Sequence, residues 1–379
     1  MRSSTRGAPV SSGLLSLSIV LLIAAVATGP LPPNRIDGFA GLVGANAPVA
    51  PAVKPDLSTV GWFQLDQRLD RNGATIGRSL TVGTLKSSKP TATIDIPEDA
   101  SATTPVSGMV FFRADDGTTS RLATVSVADG RVTERASLAD RVSAATMSAD
   151  GTAAFYLSAP RSGGSISLWR RSLNGGAATR IFGDWTVPAL GIGSFQVVAS
   201  GDGQSILAQF CGEEGCDGRS VDLASGTSTS ISGHELGWVV ALDGRDFYSI
   251  DHHSALVRQR ADGFSSTIAA NVASVSAVTG PAGLTFALLR VDSSASLSVL
   301  DPAAGTERQM RKEPVGKAGQ LPFDLVGGSA DRTAGAARTN GWVLITSSGR
   351  IAPRSARGTA ALLLSTASPT SIDLQQVSQ

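Results

Sequence analysis

A short turn recurs along this chain at a spacing that few folds accept. It reads Val127-Ala128-Asp129-Gly130, Ser172-Leu173-Asn174-Gly175, Leu223-Ala224-Ser225-Gly226, Arg260-Ala261-Asp262-Gly263, Ala303-Ala304-Gly305 and Ser347-Ser348-Gly349. The glycines, at 130, 175, 226, 263, 305 and 349, lie 45, 51, 37, 42 and 44 residues apart, and Ser87-Ser88 stands 42 residues before the first. One repeat is fully legible between Val142 and Gly183. A strand ends in Ser148-Ala149-Asp150-Gly151. A second covers Ala153 to Ser158, a third Ile166 to Arg171 ending in Asn174-Gly175, and a fourth Ala178 to Phe182. Asp-Gly and Asn-Gly close tight hairpins because both central residues of such a turn need positive φ. A four-stranded unit cannot bury both of its faces alone, so it requires neighbours of its own kind.

A period of 40–45 residues with four strands each predicts an all-β β-propeller of seven four-stranded blades, six being the alternative count. The pattern of an apolar strand, Ser-x-Asp-Gly, an apolar strand and a shorter strand ending in a Gly turn resembles the TolB-like and WD40-like (PD40) repeats of bacterial envelope proteins. The residues that carry the likeness are Met147-Ser148-Ala149-Asp150-Gly151, Ala154-Phe155-Tyr156-Leu157, Leu168-Trp169 and Leu173-Asn174-Gly175-Gly176. Ala149 stands where the family usually has Pro, and Ser200–Gly203 and Ala241–Gly244 are weaker copies. The resemblance spans roughly Thr59 to the C-terminus and implies architecture; propellers host unrelated activities.

Closure is expected from the C-terminal end. Gly61–Leu65 is an unaccompanied strand, and Ala360-Ala361-Leu362-Leu363-Leu364 is apolar on both faces. The sequence therefore predicts that the segment from Ala360 completes the first blade and closes the ring, hiding exposed edges.

Ahead of the repeats, Arg2 and Arg6 precede an apolar run, Leu14–Ala27, that ends in Ala25-Val26-Ala27. This is the pattern of a secretory signal peptide over residues 1–27, with an uncleaved signal-anchor over residues 14–31 as the alternative. Residues 28–57 hold six prolines among Ala, Gly and Val and read as a linker, which leaves 58–379 for the propeller. A formal net charge of +1 offers no basic surplus for nucleic acid. The expected location is secreted or cell-envelope.

Few residues suggest chemistry. Cys211 and Cys216 are the only cysteines, and in an exported chain a close pair predicts a disulfide, here across a loop displaying Glu213 and Glu214. The three histidines are His234, His252 and His253. Asp251-His252-His253 echoes a phosphoesterase signature, but the further Asp-rich motifs of that family are missing, and no metal site or cofactor is predicted. There is no G-x-S-x-G elbow, P-loop or EF-hand loop. With strands ordered a to d, the b–c and d–a loops share one face. Cys211–Cys216 and His252/His253 fall in b–c loops, and Asp184-Trp185 and His234 in d–a loops. Asp184, Trp185, Glu213, Glu214, His234, His252 and His253 are thus the candidate binding residues, with no catalytic residue named. The sequence reads as a monomeric, non-catalytic binding protein or scaffold for a protein or envelope component. It meets a membrane only through an uncleaved N-terminus. The alternative is a propeller hydrolase or lyase acting on glycans or peptides.

Overall fold

The computed structural model describes residues 58–316 except 59, 73, 88, 104, 187–192, 213–214, 234–236, 245, 261–262 and 281–282, together with residue 321 and the strands at 324–325, 334–336, 342–346, 361–365 and 371–373. Seven four-stranded antiparallel sheets account for the strands. Blade 2 comprises Ser101–Ala102, Met109–Asp115, Ser120–Ser126 and Val132–Leu138. Blade 3 comprises Arg141–Met147, Ala153–Ala159, Ile166–Ser172 and Thr179–Trp185. Blade 4 comprises Gly193–Ala199, Ser205–Gly212, Gly215–Asp222 and Ser228–Gly233. Blade 5 comprises Trp238–Asp243, Asp246–Ile250, Leu256–Gln259 and Ser265–Ala269. Blade 6 comprises Val272–Gly280, Gly283–Val291, Ser294–Asp301 and Thr306–Pro314. In each of these the four strands, called a to d here, follow one another in sheet order.

The first and last blades depart from that pattern. Blade 1 consists of Gly61–Leu69, Thr75–Thr84 and Ala92–Ile96, with Ala334–Ala336 as its fourth strand, Trp62–Gln64 pairing with Ala336–Ala334. Blade 7 consists of Asp324–Leu325, Trp342–Thr346, Ala361–Ser365 and Ser371–Asp373. A C-terminal strand thus does complete the first blade, but it is Ala334–Ala336. Ala361–Ser365 pairs instead with Trp342–Thr346 and lies third in blade 7. Apolar character on both faces suits any strand between two neighbours, so it could not distinguish the two blades. Trp342–Thr346 is a second strand, so Ser347-Ser348-Gly349 follows strand b rather than strand c. The fourth strand expected near 350–353 lies outside the described residues.

The turns explain the repeat. In blade 3, Ser148 Oγ donates to Asp150 Oδ1 at 2.6 Å and accepts from Ala153 N at 2.9 Å, while Thr152 N donates to Asp150 Oδ1 at 3.0 Å. Blade 4 repeats this with Ser200, Asp202, Gln204 and Ser205. The bond from Ser148, helped by those from Thr152, holds the Asp150 carboxyl at a pKa of about 2. At the c–d turns, the last residue of strand c caps the turn. The side chains of Asp222 and Asp301 accept two backbone N–H groups each, and the following glycines, Gly226 and Gly305, sit at φ 70° and 63°. These Asp side chains are turn formers.

The apolar cores lie between blades. In strand b of blade 3, Phe155 and Leu157 face blade 4, and Ala154 and Tyr156 face blade 2. In strand b of blade 4, Ile206, Ala208 and Phe210 turn to blade 3, and Leu207 and Cys211 to blade 5. Blade 6 alternates likewise, with Phe286 and Leu288 toward blade 5 and Ala287 and Leu289 toward Leu325 of blade 7. Period-two alternation with both faces covered makes strand b read as a continuous apolar run. Each fully buried large side chain contributes about 1.5–3 kcal/mol. Among the described residues no helix is long and apolar enough to cross a membrane.

Candidate functional site: the loop rim

The b–c and d–a loops meet at one end of the blades, because strands b and d run toward it and a and c away from it. A β-bulge near the start of strand a sets the local geometry. Register shifts occur between Val142 and Ala144, between Val239 and Ala241, and between Val272 and Ser274. A bulge takes a residue out of the ladder and leaves its backbone groups to find other partners. Here that residue is Ser143, Val240 or Ala273; the valine just before it stays in register with Ser158, Ser249 or Arg290, is buried, and has backbone groups bonded by the preceding blade. Val142 N donates to Ser120 Oγ at 2.9 Å, and Val142 O accepts from Arg113 Nη1 at 2.7 Å. Val239 N donates to Gln209 Oε1 at 3.1 Å, and Val239 O accepts from Gln196 Nε2 at 3.1 Å. Val272 N donates to Ser254 O at 2.7 Å.

At the seam of blades 2 and 3 the clasp is ionic. Arg113, buried in strand b, donates to Asp99 Oδ2 at 3.3 Å and to the Asp99 carbonyl. Asp115, also buried, accepts from Arg161 Nη2 at 2.8 Å, from Gly117 N at 2.7 Å and from Ser120 Oγ. Arg161 Nε reaches back to Ala139 O at 2.9 Å. Burial alone would push the Asp115 carboxyl up. The bonds from Arg161, Ser120 and Gly117, with the charge of Arg161, outweigh it and hold the carboxyl below its usual range. A carboxylate held below its unfolded pKa stabilises the fold above that value, and the contribution fades as pH falls through the folded pKa. Burial lowers the Arg113 pKa, the nearby Asp99 and Asp115 charges opposing it. Sequence reasoning missed this cluster, because its members are ordinary residues in four separate segments.

At the seam of blades 4 and 5 the clasp is neutral. Gln209 is fully buried, accepts from Gln196 Nε2, and donates to Gly237 O at 2.9 Å. Beside it Cys211 and Cys216 are joined in a disulfide. They lie directly opposite in strands b and c, with Cα atoms 4.1 Å apart, rather than in the loop itself. They pack with Val239, Leu242 and Phe247 of blade 5. A ring this short adds about 2 kcal/mol on the chain-entropy account.

Trp185 is not in a d–a loop. It ends strand d of blade 3, is buried, and meets Phe182 and Phe195 edge-on at 6.1 and 6.2 Å. Its Nε1 donates to Asp217 Oδ2 at 3.1 Å, one residue beyond Cys216. The indole thus wedges between blades 3 and 4 and joins the disulfide-bearing strand. Asp184, the residue before it, also belongs to strand d rather than a loop; it is exposed with φ 59° and accepts from Ser165 Oγ at 3.5 Å. His252 and His253 occupy the b–c turn of blade 5, both exposed, with ring centroids 3.8 Å apart. That turn is capped by Asp251, whose Oδ1 accepts from His253 N at 2.9 Å and Ala255 N at 2.8 Å. Among the described residues no three His, Cys, Asp or Glu side chains converge as a metal site. Glu213, Glu214 and His234 lie outside the described residues. The structure therefore leaves Asp184, His252 and His253 as the described rim candidates that face solvent, and assigns Trp185 to the blade seam.

No protein-family model matches the chain, and no curated protein matches it either. Solved structures do. TolB from Acinetobacter baumannii is 12% identical with a TM-score of 0.45, over 76% of this chain and 68% of that one. Oligogalacturonate lyase from Vibrio parahaemolyticus is 13% identical with a TM-score of 0.46, over 84% and 86%. The periplasmic gluconolactonase of Pseudomonas aeruginosa is 15% identical with a TM-score of 0.44, over 75% and 92%. With its seven four-stranded sheets, this chain is a β-propeller that has TolB proteins among its structural neighbours.

Proposed function

We propose that this chain is an exported, non-catalytic propeller that binds a protein or cell-envelope component through the loop rim of blades 3 to 5. The observation that carries the reading is the employment of three rim carboxylates. Asp99 is tied to Arg113, Asp115 is tied across a blade seam to Arg161, and Asp251 caps its own turn. A general acid or base needs a carboxylate within reach of a substrate proton; these three are engaged in holding the scaffold. Of the rim residues that face solvent, Asp184, His252 and His253 suit recognition. Export accords with the disulfide, which persists in oxidising compartments. Residues 1–27 act as the export signal and 28–57 as a tether, with residues 14–31 as the membrane contact where the signal stays uncleaved.

The test compares rim variants with variants of the opposite face. H252A/H253A and E213K/E214K should each weaken binding of the exported protein to purified envelope fractions by tenfold or more. D129N, on the c–d face, should leave it unchanged. Turnover of a glycan, lactone or peptide panel that survives rigorous purification and falls with D99N or D115N would replace this reading with an enzymatic one. Mass determination of the exported protein should give a chain starting at Thr28.

A further inference from the structure

The outer strands of the blades differ in how they guard their open edges. A strand at a sheet edge presents unpaired backbone groups that template pairing with another chain, and charges, prolines and bulges prevent this. Blade 2 ends in Val132–Leu138, with Glu134, Arg135 and a register shift. Blade 3 ends in Thr179–Trp185, with Arg180, Asp184 and two shifts. Blade 5 ends in Ser265–Ala269, which is bulged, and blade 6 in Thr306–Pro314, which is bulged, highly charged and closed by Pro314. Blade 1 ends in the regular Ala92–Ile96, guarded by Asp95 in an ion pair with Arg68 at 3.2 Å. Blade 4 ends in Ser228–Gly233, whose sequence STSISG has no charge and no proline, and whose register from Ser228 to Gly233 has no break. Ser228, Thr229 and Ser230 are exposed.

We infer that this edge pairs with the same edge of a second copy of the chain, joining two blade 4 sheets into one eight-stranded sheet about a two-fold axis. The strand is self-complementary. Antiparallel pairing centred on Ser230 sets that residue opposite itself and Thr229 opposite Ile231 of the second copy, twice. β-Branched pairs of this kind are favourable across strands, and no like charges meet at the axis. Ile231 already packs against the blade 4–5 core, so the pair extends an existing apolar surface. The charged outer strands of blades 2, 3 and 6 lack this self-match. Isologous contact through one patch closes at a dimer. Six residues per copy fall short of the ~800 Å2 per partner of a standard interface, so the association is weak and the chain stays monomeric when dilute.

Equilibrium sedimentation of the full chain, from low micromolar up to about 1 mM, tests this. The wild type should pass from monomer to dimer. S230K, which sets two ammonium groups face to face on the axis, should raise the dissociation constant at least tenfold. S137K, on the outer strand of blade 2, should match the wild type. In parallel, S230C should give a covalent dimer on mild oxidation at least tenfold faster than S137C, a readout that does not depend on how S230K folds. The inference is overturned by a wild type that stays monomeric at every concentration, by a dimer that survives S230K, or by equal crosslinking of S230C and S137C.

Discussion

The seam between blades 2 and 3 and the seam between blades 4 and 5 meet the same requirement with different chemistry. Both must satisfy the N–H and C=O of a buried valine that precedes the bulge at the start of strand a. The first uses Arg113 and Ser120, backed by Asp99, Asp115 and Arg161. The second uses Gln196 and Gln209, with a disulfide alongside. The ionic clasp has to offset the cost of burying charges and returns more if broken. The neutral one involves no ionisation and is indifferent to acid. A propeller rim can therefore be rich in charge without offering that charge to a ligand, and Asp99 and Asp115 are structural residues by this comparison.

The comparison breaks most forcefully at Arg113. R113M keeps the length of the side chain but strands Val142 O and removes the partner of Asp99, while Asp115 keeps Arg161. A loss of about 2–4 kcal/mol is expected, from a buried carbonyl deprived of a charged donor and a solvent-screened ion pair, read as a lowered midpoint in urea or heat. Q209L at the neutral seam removes the acceptor for Val239 N and the donor for Gly237 O. About 1–3 kcal/mol is expected, because uncharged groups are left unpaired. Equal losses in the two variants would show that the charges add nothing to the first clasp. W185F sharpens the account at a third seam. It keeps the aromatic contacts with Phe182 and Phe195 and deletes the bond to Asp217 Oδ2, so about 1 kcal/mol should be lost by the same melts. A loss near that of R113M would mean that the indole shape, rather than its N–H, fixes blades 3 and 4.

What was legible in the sequence was local. The strands of blade 3 lie within a few residues of their predicted bounds, because Ser148-Ala149-Asp150-Gly151 and Ser172-Leu173-Asn174-Gly175 build their turns from their own side chains. The seams were illegible because their partners are distant. Arg113 meets Val142 and Arg161 meets Asp115 only after two blades are stacked with the right register, and a bulge leaves no mark in hydrophobic periodicity. The closing strand is illegible for a related reason. Ala334-Gly335-Ala336 has little apolar signature, whereas Leu362–Leu364 has a strong one that suits an internal strand of either blade. The sequence alone ends the fourth strand at Phe182 and so puts Trp185 in a loop; its burial arises from Asp217 and Phe195 of the next blade.

The claim that the rim carboxylates hold blades together is tested most directly by amide exchange at Val142 and Val239 as a function of pH. Val142 N is held by Ser120, itself bonded to Asp115, while Val239 N is held by Gln209. Asp115 has a folded pKa below its unfolded value, so its contribution is complete at pH 7 and fades as pH falls below about 4. The prediction is equal, strong protection of both amides at pH 7 and a selective fall in protection at Val142, relative to Val239, as pH falls below about 4 to the lowest at which the fold persists. Parallel behaviour of the two amides down to that pH would contradict the account and leave Asp99 and Asp115 free for another role.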